Sequence, residues 1–147
     1  MKTIDVTVTS LEMRSISDLR RSTRVVEGLT LWQLKEPFPE FARFLYTVVG
    51  AEWYWIDRLP WSRADWVTHL MRPDIETWVA YLNGAPCGYF ELQHEPGPDV
   101  QIQYFGLFRD VFGRGIGGPL LTAALERAWS SGPRRGWVHT CTLDHPA

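Results

Sequence analysis

Cysteine is scarce in this chain: Cys87 and Cys141 are its two thiols in 147 residues. Two cysteines make no disulfide framework, and they lack metal-ligand spacing. No metal is therefore expected, and a reducing cytoplasm is the expected compartment. Charge of one sign is lacking too. Fifteen basic against seventeen acidic residues leave a net charge of −2, which gives no reason to expect nucleic acid or a membrane surface as a partner. No apolar run approaches the ~20 residues that span a bilayer. The opening MKTIDVTVTS has no apolar signal-peptide core. Internal repeats and low-complexity tracts are missing as well. What is there is 45% apolar and 22% charged, the balance of a single domain over residues 1–147 with chain enough for a real core.

Period-two alternation marks strands, beginning at residues 3–12, where Ile4, Val6 and Val8 alternate with Asp5, Thr7 and Thr9. Residues 17–27, dense in charge, read as a solvated helix or loop. A second strand over 29–34 is ended by Pro37 and Pro39. Phe41, Phe44, Leu45 and Val48 share one face of a helix over 40–49. A second helix over 63–71 has Ser62 as its N-cap and Pro73 beyond its end. Residues 78–82 and 86–93 form a hairpin about Asn83-Gly84, and the run 137–143 is the last strand.

The chain is organised around residues 100–129. Val100, Ile102 and Tyr104 alternate with Gln101 and Gln103 as a strand whose first set faces a core. Gly113, Gly115, Gly117 and Gly118 follow, and then Leu120, Leu121, Ala124, Leu125, Ala128 and Trp129 make one apolar helical stripe. Pro119 suits a first helical turn, and Gly132-Pro133 a stop. A glycine turn feeding a helix N-terminus offers unpaired N–H groups and a positive dipole end to a phosphate. Gly113, Gly115 and Gly118 also satisfy G-x-G-x-x-G, with Asp144 posing as the ribose-binding acid. A dinucleotide fold needs further βα units after this one, however, and residues 78–105 read as antiparallel strands.

From Trp78 onward the sequence resembles the GNAT superfamily of N-acetyltransferases. The residues that carry the resemblance are YFGLF before the turn, Phe112-Gly113-Arg114-Gly115-Ile116-Gly117 on the family's Q/R-x-x-G-x-G/A signature, and RRGWVHTCTLDHPA after the helix. Phe112 departs from the signature's Gln or Arg. The resemblance implies an α/β (α+β) fold: a mixed, mainly antiparallel sheet flanked by helices. It also implies acetyl-CoA as co-substrate, with pantetheine in the gap between two parallel, splaying strands. The main chain of Phe105 and Leu107 is expected to face pantetheine. The turn Gly113, Arg114, Gly115, Gly117 and Gly118 is expected to hold the pyrophosphate. The family's C-terminal helix, its tyrosine acid and two further strands have no counterpart before Ala147. A C-terminally incomplete domain is therefore expected, with an open edge on the last strand that makes the chain a homo-oligomer or aggregate.

Acetyl transfer from a thioester to an amine needs a group to remove the amine's proton and a stabilised oxyanion. Glu91, opposite in facing to Phe90 and Leu92 on the strand beside the cofactor strand, is the candidate base; an exposed strand carboxylate is the plain alternative. The Leu107 N–H is the oxyanion donor that the resemblance implies. Trp53, Trp55 and Asp57, in a stretch packing aromatics beside carboxylates, suit a cationic amine with an apolar body, although tryptophans under a long connection read the same way. His139 and Cys141 share a strand face, but i, i+2 neighbours stand roughly 7 Å apart, too far for a nucleophile–base pair. The function expected is acetyl-CoA-dependent acetylation of a primary amine on a small molecule or protein. The alternative is a catalytically impaired module that binds CoA or a partner.

Overall fold

Alternation decides the sheet. The computed structural model describes residues 2–146, and the strands are β1 (Val8–Met13), β2 (Leu29–Gln33), β3 (Ile75–Leu82), β4 (Ala85–Glu95), β5 (Asp99–Leu107) and β6 (Arg135–Cys141). They form one sheet in the order β1-β6-β5-β4-β3-β2, antiparallel throughout except where β5 meets β6. Asn83 and Gly84 sit at φ +50° and +85° and close the β3–β4 hairpin in the left-handed geometry that matches strand twist. Three helices flank the sheet: α1 (Pro39–Gly50), α2 (Arg63–Leu70) and α3 (Gly117–Trp129). None is long and apolar enough to cross a membrane.

Each helix starts where its sequence allows. Pro39 is the first residue of α1, where a missing N–H costs nothing, so it opens that helix besides following the strand. At α2 the Ser62 hydroxyl accepts the Asp65 N–H at 3.1 Å, and the Asp65 carboxylate accepts the Ser62 N–H at 2.8 Å. This reciprocal cap is worth about 1 kcal/mol and fixes where α2 begins. Helix α3 buries Leu120, Ala124 and Ala128 against Phe90, Leu92, Val100 and Ile102 on one face of the sheet. Helices α1 and α2 cover the other face, where Leu45 and Val49 pack on Val79 and Tyr89, and Tyr46 packs on Trp66.

Tyr104 corrects the expected pattern of β5. Glu91 pairs with Tyr104 and the next residue, Leu92, with Ile102, so Gln103 is an extra residue on β5. This β-bulge reverses the alternation. Ile102 stays on the α3 face, whereas Tyr104 joins Tyr46 and Trp55 on the α1 face.

Several sequence expectations move. The first strand begins at Val8 instead of residue 3, and the last covers 135–141 instead of 137–143. Of the two readings of residues 17–27 the loop is the one found, entered from a 3-10 turn at Ile16–Asp18. The outer edge of β6 is not open. Strand β1 lies along it from Val8↔Cys141 to Met13↔Gly136, so β6 keeps its backbone partners and the expected ground for self-association through that edge is removed.

Candidate functional site

Two strands that start together and separate leave a slot. β5 and β6 pair over Asp99↔Arg135, Val100↔Gly136 and Gln101↔Trp137, and β5 then runs on to Leu107 without a strand partner on that side among the described residues. The side chains of Phe105 and Leu107 are held in the α3 core, which fixes the strand while its main-chain edge stays unpaired. At the end of β5 the chain makes a 3-10 turn and the glycine turn. A Cβ placed on Gly117 would stand 3.8 Å from the Leu107 side chain, so the start of α3 abuts the end of the slot.

Gly113 and Gly115 take φ of +75° and +77°, which a side-chain-bearing residue adopts only with strain. None of the N–H groups of Gly113, Gly115, Gly117 and Gly118 is hydrogen-bonded among the described residues. The N-cap of α3 has no side-chain hydrogen bond and its first turn no acidic residue. Arg114 is exposed. Arg24, from the segment before β2, lays its guanidinium against Gly115, where a Cβ would meet it at 2.3 Å. The turn is thus positive at both its backbone and its rim, an arrangement suited to an anion.

On the α1 face a cleft of about 310 Å³ opens beside the bulge, lined by Asp57, Arg58, Trp61, His69, Gln103 and Tyr104. Arg58 in its wall belongs to a buried charged pair. Arg58 Nη1 and Nη2 donate to Glu91 Oε2 and Oε1 at 2.7 and 2.8 Å, and His69 Nε2 lies 2.9 Å from Oε1. Glu91 is 2% exposed, which overturns the picture of a solvated strand carboxylate. Burial pushes its carboxyl up, but the hydrogen bonds from Arg58 and His69 outweigh burial and hold it below the usual carboxylate range. Arg58 is caged in turn. Its guanidinium sits 4.4 Å from the Tyr104 ring centre and 4.8 Å from that of Trp61, and the Arg58 backbone N–H donates to the Tyr46 hydroxyl. Burial also drives the Tyr104 hydroxyl well above its ordinary value, so it stays a neutral phenol.

Gln103 Oε1 is buried in the cleft wall with no hydrogen-bond partner among the described residues. Such an acceptor costs stability unless something donates to it. Asp57 is exposed at the rim, and its charge adds to the rise of the Tyr104 hydroxyl.

The expected site residues fall into three places. Phe105, Leu107 and the four glycines gather along the slot and its end. Asp57 lines the cleft, and Glu91 lies buried behind its Arg58 and His69 walls. Trp53 and Trp55 do not join them there: Trp55 is stacked into Tyr46, Tyr89 and Tyr104 at 4.8–6.3 Å, and Trp53 lies 5.2 Å from His145, which also touches Phe112. Cys141 and Thr140 end β6 on Asp144, which accepts the Cys141 N–H and the Thr140 hydroxyl, each at 2.8 Å, so Asp144 acts as a strand terminator. Arg58, His69 and Gln103 were missed by pattern. A signal existed for His69, which is spaced i, i+3 from Trp66 on the buried face of α2.

The family model described as Acetyltransferase (GNAT) family matches residues 31–147. No curated protein matches the chain by sequence. Among solved structures, an aminoglycoside acetyltransferase from an uncultured soil metagenomic sample is similar at TM-score 0.66 and 18% identity, over 80% of each chain. A GCN5-related N-acetyltransferase from Kribbella flavida is similar at TM-score 0.63 and 16% identity, over 92% of this chain and 50% of the other. A tandem GNAT protein from the clavulanic acid biosynthesis pathway gives 0.62 and 15%, over 96% and 46%. At such identities the structural likeness establishes the fold.

Proposed function

The chain belongs to the GNAT acetyltransferase family, and from that premise we propose that it takes its acetyl group from acetyl-CoA and delivers it to a primary amine. The observation that carries this reading is the unpaired edge of β5 beyond Gln101, ending at a turn of unpaired glycine N–H groups. Pantetheine lies along Phe105 and Leu107 as an added strand would. The pyrophosphate rests on the N–H groups of Gly113, Gly115, Gly117 and Gly118, with Arg114 as a charged neighbour. The Leu107 N–H polarises the thioester carbonyl.

The acceptor occupies the cleft. Asp57 pairs with its ammonium, Gln103 Oε1 takes an N–H, and Trp61 and Tyr104 flank its apolar body. Trp55 supports that wall by backing Tyr104 at 4.8 Å, and Trp53, against His145, stands apart from it. Asp57→Asn is expected to raise KM for a cationic amine about two- to fivefold, the size of one partly exposed charge pair, with kcat kept. An unchanged KM for phenethylamine, spermidine and sisomicin alike removes Asp57 from the acceptor site.

Glu91 is the carboxylate on which deprotonation of the amine depends. Alkylamines are ammonium ions at neutral pH, with pKa near ~10. Glu91→Gln should therefore depress acetylation most at neutral pH and less in alkaline buffer, where free amine is plentiful. An equal effect at every pH shows that Glu91 has no part in proton removal. Calorimetry with acetyl-CoA and amine-dependent thiol release by the wild type test the whole reading. Binding without release for any of the three amines favours a CoA-binding module, and no binding overturns the proposal.

A further inference from the structure

The two nitrogens of His69 have different surroundings. Nε2 faces Glu91 Oε1 at 2.9 Å, and Glu91 also receives both Arg58 N–H groups. A carboxylate held by a guanidinium only accepts, so the proton of the Nε2 bond belongs to the ring. A neutral imidazole protonated at Nε2 carries its lone pair on Nδ1. Nδ1 has no hydrogen-bond partner among the described residues, and the ring forms part of the cleft wall. A histidine that merely satisfied Glu91 would account for Nε2 and leave Nδ1 without a purpose.

We infer that His69 is the general base of the transfer and that Glu91 is its positioning residue, an assignment that rests on the amine acetylation proposed above. Nδ1 takes one proton from the acceptor ammonium, which frees the nitrogen lone pair to attack the thioester carbonyl carbon. The new N–C bond forms as the carbonyl pair moves to oxygen. When that pair returns, the C–S bond breaks, and the departing thiolate takes the second proton from nitrogen. His69 passes the first proton to water. Amide, CoA thiol and one proton result. Glu91 itself is badly placed to take that proton: it is 2% exposed, and both its oxygens are occupied by Arg58 and His69. Its role is to fix the ring's tautomer and to stabilise the imidazolium once it forms.

The test uses thiol release from acetyl-CoA with phenethylamine, spermidine and sisomicin as probes. His69→Ala is expected to lose about a hundredfold or more in kcat, the low end for a general base, while calorimetric affinity for acetyl-CoA holds. Added imidazole should restore turnover in the vacated space, and a set of substituted imidazoles should do so in order of basicity, which a structural role would not produce. His69→Gln keeps an N–H for Glu91 and supplies no base; it should fold as the wild type does, lose the same rate and resist rescue. Independently of any acceptor, nitrogen NMR of the ring-labelled wild type should show Nε2 protonated and Nδ1 bare. A folded His69 variant with full rate, a loss that no imidazole repairs in His69→Ala, or a proton on Nδ1 each overturns the assignment. A wild type that neither binds acetyl-CoA nor releases thiol overturns the premise, and the assignment with it.

Discussion

Arg58→Met is expected to destabilise the protein by roughly 3–5 kcal/mol, the cost of stranding one member of a buried ion pair. Arg58 is 6% exposed and Glu91 2%, so water cannot compensate the carboxylate left behind. The pH dependence gives the sign. In the wild type the folded pKa of Glu91 lies below its unfolded value. Its contribution is therefore fully present above the unfolded pKa and is lost as pH falls through the folded one. Without Arg58, burial dominates, and the folded state binds a proton that the unfolded state at neutral pH does not, whether on Glu91 or shared with His69. Stability of the variant should then rise as pH falls from 7 toward 5, where the Glu91 contribution in the wild type is flat. Removing both partners in Arg58→Met/Glu91→Met should recover most of the loss, since an apolar pair in that space needs no desolvation of charge. Urea titrations at several pH values read the wild type and both variants. A single variant within about 1 kcal/mol of wild type, with no change in pH slope, would show that the pair is solvated in solution.

What was legible in the sequence is what local pattern controls. Ser62 announces α2 because an N-cap acts within its own first turn, and the structure adds Asp65 as its reciprocal partner. Asn83-Gly84 announces its hairpin because both residues tolerate positive φ. The slot was legible through a family signature, and the three-residue pairing of β5 with β6 agrees with the splaying that the signature implied. Illegible were the features made by residues distant in sequence. Glu91 reads as an ordinary strand carboxylate because Arg58 and His69 reach it from 33 and 22 residues away. β1 announces its alternation but not its partner, and that partner, β6, lies at the far end of the chain. The bulge at Gln103 hides in a run whose alternation is uninterrupted on paper, so the face of Tyr104 was misassigned. Trp55 and Asp57 are two residues apart, yet one is stacked into Tyr46 and Tyr104 while the other stands at the cleft rim. A connection of this length fixes neither direction by periodicity.

Gly115→Asp should take acetyl-CoA binding down by about a thousandfold or more, which is roughly 4.1 kcal/mol at 25 °C. Three effects act together. Gly115 holds φ +77°, so any side chain there costs about 1–2 kcal/mol of backbone strain, paid by the fold. The new Cβ would lie 2.3 Å from the Arg24 guanidinium carbon, so Arg24 must swing aside or pair with the new carboxylate. Either way the turn loses a positive neighbour. The aspartate also puts a negative charge among the N–H groups assigned to the pyrophosphate, which removes charge-assisted hydrogen bonds worth about 1.5–3 kcal/mol each. A strained aspartate away from the slot is the control: Gly97→Asp places the same residue at φ +107° in the turn at the opposite end of β5, with open space around it. That variant should show a comparable loss in thermal stability and bind acetyl-CoA as the wild type does. Calorimetry on both variants, after melting curves establish that each is folded, decides the matter. A folded Gly115→Asp protein that keeps its affinity sinks the phosphate assignment, because no rearrangement of Arg24 alone restores N–H donors to an anion facing a carboxylate.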